Sequence, residues 1–270
     1  MDLQCNADRF LGFADVYDSA RPSVPRKCVE LLTRYLGRVP DRVVDLGSGT
    51  GLSTRAWQGA CGEAVGVEPS PDMIAQARRR GGQGLRFVEG YAHNTGLPDE
   101  CADIVVCSQS FHWMEPVSTL NEVNRILVPG GLFATVDCDW PPVYSVKVEM
   151  AYRDLFDKVR ELESTLPGVR DSFRRFDKSH HLENIRSSGH FRYTRELVLL
   201  SEEPFTPERY IGLAMSQGSL QTILKKHPET IQADLNRFCE KVRESWISGQ
   251  NTGAFCYRIR LGAKAPDARP

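Results

Sequence analysis

The chain has 270 residues, 41% hydrophobic and 26% charged, with a net charge of -1. That composition is ordinary for a globular protein and long enough for one large domain, or one domain with an elaboration. The balanced, interleaved charge gives no footprint for nucleic acid, and no apolar stretch approaches the ~20 residues that a membrane span needs, so neither partner is expected.

The N-terminus, M-D-L-Q-C-N-A-D-R-F, has no basic region followed by an apolar core, which reads as a cytoplasmic protein without a secretory signal. Residues 24–37 predict an amphipathic helix closed by Gly37. R-V-V-D-L-G (42–47) predicts a buried strand, followed by a helix starting near Thr50. A-V-G-V-E (64–68) is a second strand, after which Ser70 is placed to cap a helix with Pro71 at its first position. L-R-F-V-E-G (85–90) and A-D-I-V-V-C-S (102–108) are the third and fourth strands. Residues 117–127 are helical, stopped by Pro129, and 130–137 form the fifth strand. Residues 145–163 and 171–187 predict helices, 191–200 a strand, and Thr206 with Pro207 opens helices that continue to about 247. T-G-A-F-C-Y-R-I-R-L-G (252–262) alternates as a last strand.

Regular strand–helix alternation predicts an α/β fold: a Rossmann-like, seven-stranded, mostly parallel sheet with helices on both faces. The chain reads as one domain over 1–270, with a core at 38–140 and helical insertions at 143–188 and 203–250 that form a substrate cap. The eight cysteines are scattered without a C-x-x-C pair, so they read as reduced structural thiols, Cys107 and Cys256 among them as small buried hydrophobes, and no metal is expected.

The first strand ends in G-S-G-T-G, with Gly47, Gly49 and Gly51 on alternate positions. In open α/β sheets ligands bind beyond the carboxyl ends of strands, and glycines there permit a tight turn and close backbone approach. About twenty residues on, G-V-E-P-S ends the second strand, and Glu68 stands where an acidic residue accepts ribose hydroxyls in nucleotide-binding folds. Position 52 is leucine, so the third glycine of G-x-G-x-x-G is missing; this argues against the rival reading of an NAD-linked oxidoreductase. A non-catalytic binding module that kept the fold is a further alternative.

Taken in order, D-L-G-S-G-T-G-L-S-T, G-V-E-P-S-P-D-M-I-A-Q-A, G-Y-A-H-N-T-G-L-P-D-E-C-A-D-I-V-V-C-S-Q-S-F-H-W-M and E-V-N-R-I-L-V-P-G-G-L-F resemble the class I S-adenosylmethionine (SAM)-dependent methyltransferases. The likeness is greatest to the small-molecule branch that includes trans-aconitate methyltransferase, over residues 10–140. The resemblance implies SAM as cofactor, S-adenosylhomocysteine (SAH) as product, a small-molecule methyl acceptor, and a monomer or homodimer. It implies that Asp45 supports the loop and faces the methionine ammonium. Gly47, Ser48 and Gly49 would line methionine and ribose, Glu68 would hold the ribose hydroxyls, and Pro69 and Met73 would pack near the adenine. Tyr91 replaces the acidic or polar residue usual at its position, Ala92 offers a backbone N–H, and Ser108 lies where the sulfonium should sit. Tyr17 and Arg21, in an N-terminal stretch that also resembles this branch, would close over the cofactor, with Arg21 near the methionine carboxylate.

S-Q-S-F-H-W-M-E (108–115) follows the fourth strand, so Gln109, His112 and Trp113 are substrate-side candidates, with His112 as general base. Trp140, in C-D-W-P-P after the fifth strand, is a fourth substrate candidate, and neighbouring Asp139 is equally placed. Arg170, Arg174 and Lys178 recur at helical spacing with His180 and His181 beyond; the expected reading is a solvated helix face, with recruitment of an anionic substrate as the alternative. S-Q-G (216–218) reads either as a cap contribution or as a helix ended by Gly218. The expected reaction is in-line methyl transfer, to oxygen before nitrogen or carbon and possible at a carboxylate, which would need no base.

Overall fold

The apolar runs V-V-D-L, A-V-G-V and D-I-V-V-C have no polar alternation, so each must be covered on both faces, and the computed structural model builds them as the centre of a sheet. The structure describes residues 22–169 and 175–266. In chain order the elements are α1 (Arg26–Leu36), β1 (Arg42–Leu46), α2 (Leu52–Arg55), β2 (Glu63–Glu68), α3 (Pro71–Arg79), β3 (Leu85–Glu89), β4 (Ala102–Ser108), α4 (Pro116–Ile126), β5 (Leu127–Cys138), α5 (Val146–Thr165), α6 (His181–Ser187), β6 (Phe191–Pro204), α7 (Pro207–Met215), α8 (Gly218–Lys226), α9 (Gln232–Glu244) and β7 (Thr252–Lys264).

The sheet has seven strands in the order β3-β2-β1-β4-β5-β7-β6. The pairings β1–β2, β1–β4, β2–β3 and β4–β5 are parallel. Gly130 bonds Ala265 and Asp139 bonds Cys256, so β7 runs against β5 and the sheet is mixed at that edge. Strand order reverses between β1 and β4, which puts a crevice at the carboxyl ends of these two strands.

The chain divides into two compact units. The first holds Pro22–Asp137, Arg175–Val198 and the chain from Arg258. Its core is built by Val44, Leu46, Val65, Val105, Phe111 and Phe133 with their neighbours. The described part of the second, 138–169 and 199–257, is helical and strongly aromatic: Tyr152 packs against Phe156, Tyr210 and Phe238, and Phe205 against Phe255. No helix among the described residues is long and apolar enough to cross a membrane.

Several local expectations change. Gly37 does close α1, at φ 82°, its N–H bonded to the Thr33 and Arg34 carbonyls. Ser70 occupies the N-cap of α3 without a side-chain bond, whereas Glu115, which has no place among the expected caps, accepts from the Val117 and Ser118 N–H groups at the start of α4. The fifth strand begins at Leu127 rather than 130, because Leu127 already pairs with Ala102 and a register shift between Ala102 and Ile104 absorbs the V-P-G-G segment. Gly218 opens α8 rather than ending a helix. The helix expected over 171–187 is described only from 175, as an irregular stretch, a 3-10 turn (Lys178–His180) and the short α6. Among the described residues the cysteines are free; Cys107 is buried as expected, while Cys256 is half-buried.

Candidate functional site

The glycine loop after β1 is pinned from below. The N–H groups of Gly47 and Ser48 both donate to the Val67 carbonyl of β2, at 2.8 and 3.1 Å. Gly47, Gly49 and Gly51 have φ of 67°, 55° and 80°, the left-handed region that side chains other than glycine enter at a cost. Their surroundings differ. A Cβ on Gly47 would lie 2.8 Å from Met114 and Ser110, and one on Gly51 would lie 2.7 Å from the Phe87 ring. A Cβ on Gly49 would meet no protein atom within 4 Å. Gly47 and Gly51 thus serve the fold, and Gly49 faces open space at the switch point.

Glu68, at the end of β2, reaches this loop. Its Oε2 accepts from the Gly49 N–H at 2.9 Å and its Oε1 from the Ser70 N–H at 3.0 Å. Burial pushes its pKa up, against the two backbone donors. Each carboxylate oxygen keeps a second lone pair for a ligand hydroxyl. Asp45 lies inside β1, 1% exposed. Its Oδ2 accepts from the Ser53 and Thr54 hydroxyls while Oδ1 has no partner, and burial raises its pKa to about 6. The Ser48 hydroxyl is buried and unpartnered as well.

Pro69 is half-buried, Met73 is buried on α3, and Ala92 packs half-buried against the core. Tyr91 opens a turn bridged to Asn94, its ring 5.5 Å from His93. Ser108 closes β4, half-buried. Gln109 follows with a left-handed φ of 55°, its N–H bonded to the Val136 carbonyl at 2.9 Å, and the Ser110 hydroxyl donates to the Leu46 carbonyl at 2.6 Å. These bonds tie the β4 exit to β1 and β5 and turn Phe111–Trp113 into a 3-10 segment. The His112 ring is buried with Nδ1 unpartnered, 4.6 Å from the Trp113 ring. Burial first, and then the Lys178 charge, push its pKa well below the usual histidine range. Trp140 lies in the second unit, stacked on Tyr152 and edge-on to Phe255. Tyr17, Arg21, Arg170 and Arg174 lie outside the described residues.

The solvated face expected at 170–181 holds only in part where it is described: His180 is exposed and Lys178 half-buried, but His181 is fully buried. It belongs to a network around Asp137 near the end of β5, a residue the motifs do not single out. The Asp137 carboxylate accepts from Lys178 Nζ at 2.9 Å, His181 Nδ1 at 3.1 Å and Arg260 Nη1 at 3.1 Å. Burial would raise its pKa, but the His181 bond and the Lys178 charge outweigh it and hold the carboxyl far below its usual range. Lys178 also donates to Gln109 Oε1 at 2.7 Å, and Arg260 Nε to Glu196 Oε2 at 2.8 Å. The only signal in the sequence is a lone aspartate inside an apolar strand, T-V-D-C, the same pattern as V-V-D-L.

The buried Asp45 carboxylate without a cation, the unpartnered Ser48 hydroxyl, the open face of Gly49 and the spare acceptor sites of Glu68 fit a ligand carrying an ammonium group and vicinal hydroxyls. SAM carries both, and these residues fit it.

Residues 44–135 match the methyltransferase domain family. An uncharacterized methyltransferase of Mycobacterium tuberculosis is 36% identical over 121 residues, 44% of this chain and 48% of its own length. The demethylmenaquinone methyltransferase of Thermus thermophilus is 33% identical over 140 residues, 50% of this chain and 61% of its own. The chain thus spans about half the length of the curated relatives it matches. In three dimensions a protein of Anaeromyxobacter dehalogenans, provisionally assigned as a type II methyltransferase, superposes with a TM-score of 0.69 at 20% identity, covering 91% of this chain and 99% of its own. That likeness shows the fold. The domain match and the sequence relatives show that residues 44–135 are similar to methyltransferase domains.

Proposed function

We propose that this chain transfers a methyl group from SAM to a small-molecule acceptor by in-line displacement. The observation that carries the reading is the Glu68 carboxylate at the end of β2, bonded to Gly49 at the open face of the glycine loop. Bound there, SAM supplies a methyl group already activated by the sulfonium charge. The protein's part is to hold and align. Glu68 accepts the ribose hydroxyls, Asp45 faces the methionine ammonium, and the backbone of Gly47, Ser48 and Gly49 lies along the methionine and ribose. Pro69, Met73, Tyr91 and Ala92 border the adenine. Ser108 stands beside the reacting centre.

On the acceptor side stand Gln109, His112 and Trp113, and oxygen is the favoured nucleophile. The His112 ring, kept neutral by burial and by Lys178, has Nδ1 unpartnered and is a weak base. The near-neutral charge supports a small acceptor over a polynucleotide.

Isothermal titration with SAM and SAH tests the reading: micromolar binding is expected, and none by well-folded protein contradicts it. Glu68→Ala should weaken SAH binding by about 1–3 kcal/mol, the scale of a lost charged hydrogen bond, with the fold retained.

A further inference from the structure

Buried polar atoms without partners are rare in folded proteins, and three of them cluster beyond β4 and β5 in the first unit. They are Gln109 Nε2, His112 Nδ1 and His181 Nε2. One chain of bonds organises them. Lys178 bridges Gln109 Oε1 and Asp137 Oδ1, and Asp137 Oδ2 receives His181 Nδ1 and Arg260. The His112 and His181 rings lie nearly parallel with centroids 6.5 Å apart, and Phe111 packs edge-on to His181 at 4.9 Å.

The arrangement fixes chemistry. An ionised carboxylate only accepts, so Nδ1 of His181 carries a proton, and in the singly protonated ring Nε2 is a bare lone pair. Asp137 holds that tautomer and offsets the charge of the ring once it takes a second proton, the division of labour of an aspartate–histidine pair in acyl transfer. Gln109 turns its oxygen to Lys178, which leaves its buried, unpartnered Nε2 as a free N–H donor. His112 lacks this support: among the described residues no carboxylate bonds it, and Lys178 and Arg175 oppose its protonation.

We infer that His181 Nε2 is the proton acceptor for methyl transfer to a hydroxyl group, a phenol or an alcohol, with Asp137 as the residue that positions it and the Gln109 amide as a donor to the same acceptor molecule. This rests on the methyltransferase reading and narrows it away from a preformed carboxylate, which has no proton to lose. In the step, an oxygen lone pair forms the new O–CH3 bond while the C–S bond pair goes to sulfur. The O–H proton passes to Nε2, and the imidazolium paired with Asp137 later returns it to solvent. The nitrogen is fully enclosed, so bulk water does not compete for it, and the acceptor displaces neighbouring side chains as it enters.

Two measurements decide it. In 15N-labelled wild-type protein, a two-bond histidine spectrum reads the tautomer, with the His181 signal assigned by its absence in His181→Asn. A proton on Nδ1 with bare Nε2 at neutral pH is expected, and a proton on Nε2, in a neutral or charged ring, overturns the inference. Second, SAM with a labelled methyl group is offered with phenol, benzyl alcohol, benzylamine and benzoate. His181→Asn keeps a donor toward Asp137 but removes the outer nitrogen. Transfer to the hydroxyl compounds, with kcat reduced roughly 100- to 10,000-fold in the variant and KM for SAM little changed, supports it. Transfer confined to benzoate or benzylamine, transfer undiminished in the variant, or no transfer by protein that binds SAH overturns it. Failure of the wild type to bind SAH strikes the methyltransferase reading instead, so the two failures are distinguishable.

Discussion

Asp45 and Asp137 occupy matching places, each a lone carboxylate near the carboxyl end of an apolar strand and almost wholly enclosed. Their chemistry diverges. Asp45 has two hydroxyl donors and, among the described residues, no cation, so burial wins and its pKa rises to about 6. Asp137 has a lysine, an arginine and a histidine, so their charge and bonds outweigh burial and it stays ionised. Burial alone therefore does not say which carboxylate is charged; the partners do. The contrast also separates roles. Asp137 is already satisfied by its neighbours and organises them, whereas Asp45 Oδ1 has no partner among the described residues.

The largest test of the contrast removes each carboxylate. Asp137→Ala removes the carboxylate that joins Lys178, His181 and buried Arg260, leaves Arg260 only Glu196, and should destabilise the fold by about 3 kcal/mol, measured by urea unfolding. Asp45→Asn, which keeps an acceptor for Ser53 and Thr54, should instead stabilise the unliganded protein near neutral pH. Equal losses in both variants would break the comparison.

The second test uses pH. Asp45 in the fold has its pKa raised from 3.8 to about 6, so the folded state keeps the proton longer than the unfolded chain. Its contribution is full below the unfolded pKa, near 3.8, and is lost as pH rises through about 6, roughly 2–3 kcal/mol in all. Unfolding free energies of wild type and Asp45→Asn, compared across that window, should converge at low pH and separate at high pH. SAH affinity should rise over the same window, because the ammonium pairs with the ionised form.

The smallest expected effect on folding is at the loop. Gly49→Ala meets no protein atom and costs only the left-handed backbone, about 1–2 kcal/mol. Gly47→Ala adds a clash with Met114 and Ser110 and should cost more. SAH affinity in the Gly49→Ala protein should nonetheless drop sharply; unaltered affinity would mean that the open face of Gly49 is not where the cofactor lies.

The loop and Glu68 were legible in the sequence because the relevant contacts are short in chain terms: strand, turn and the next strand end lie within 42–70, and Glu68 bonds Gly49 across 19 residues. The Asp137 network was not, because His181 and Arg260 reach it across 44 and 123 residues, a separation set by the sheet order and invisible to periodicity. His181 looked like part of a charged helix face because its neighbours are polar, yet a 3-10 turn and the start of α6 rotate it inward. The start of β5 was misplaced for a related reason: Pro129 ends helices in general, but here Leu127 already had a strand partner in Ala102.

A crystal structure of the protein with SAH tests most directly what the glycine loop holds. The expected result has both ribose hydroxyls on the Glu68 carboxylate and the methionine ammonium on the free oxygen of Asp45. SAH bound elsewhere, with Glu68 still bonded only to Gly49 and Ser70 and Asp45 Oδ1 still without a partner, would contradict it.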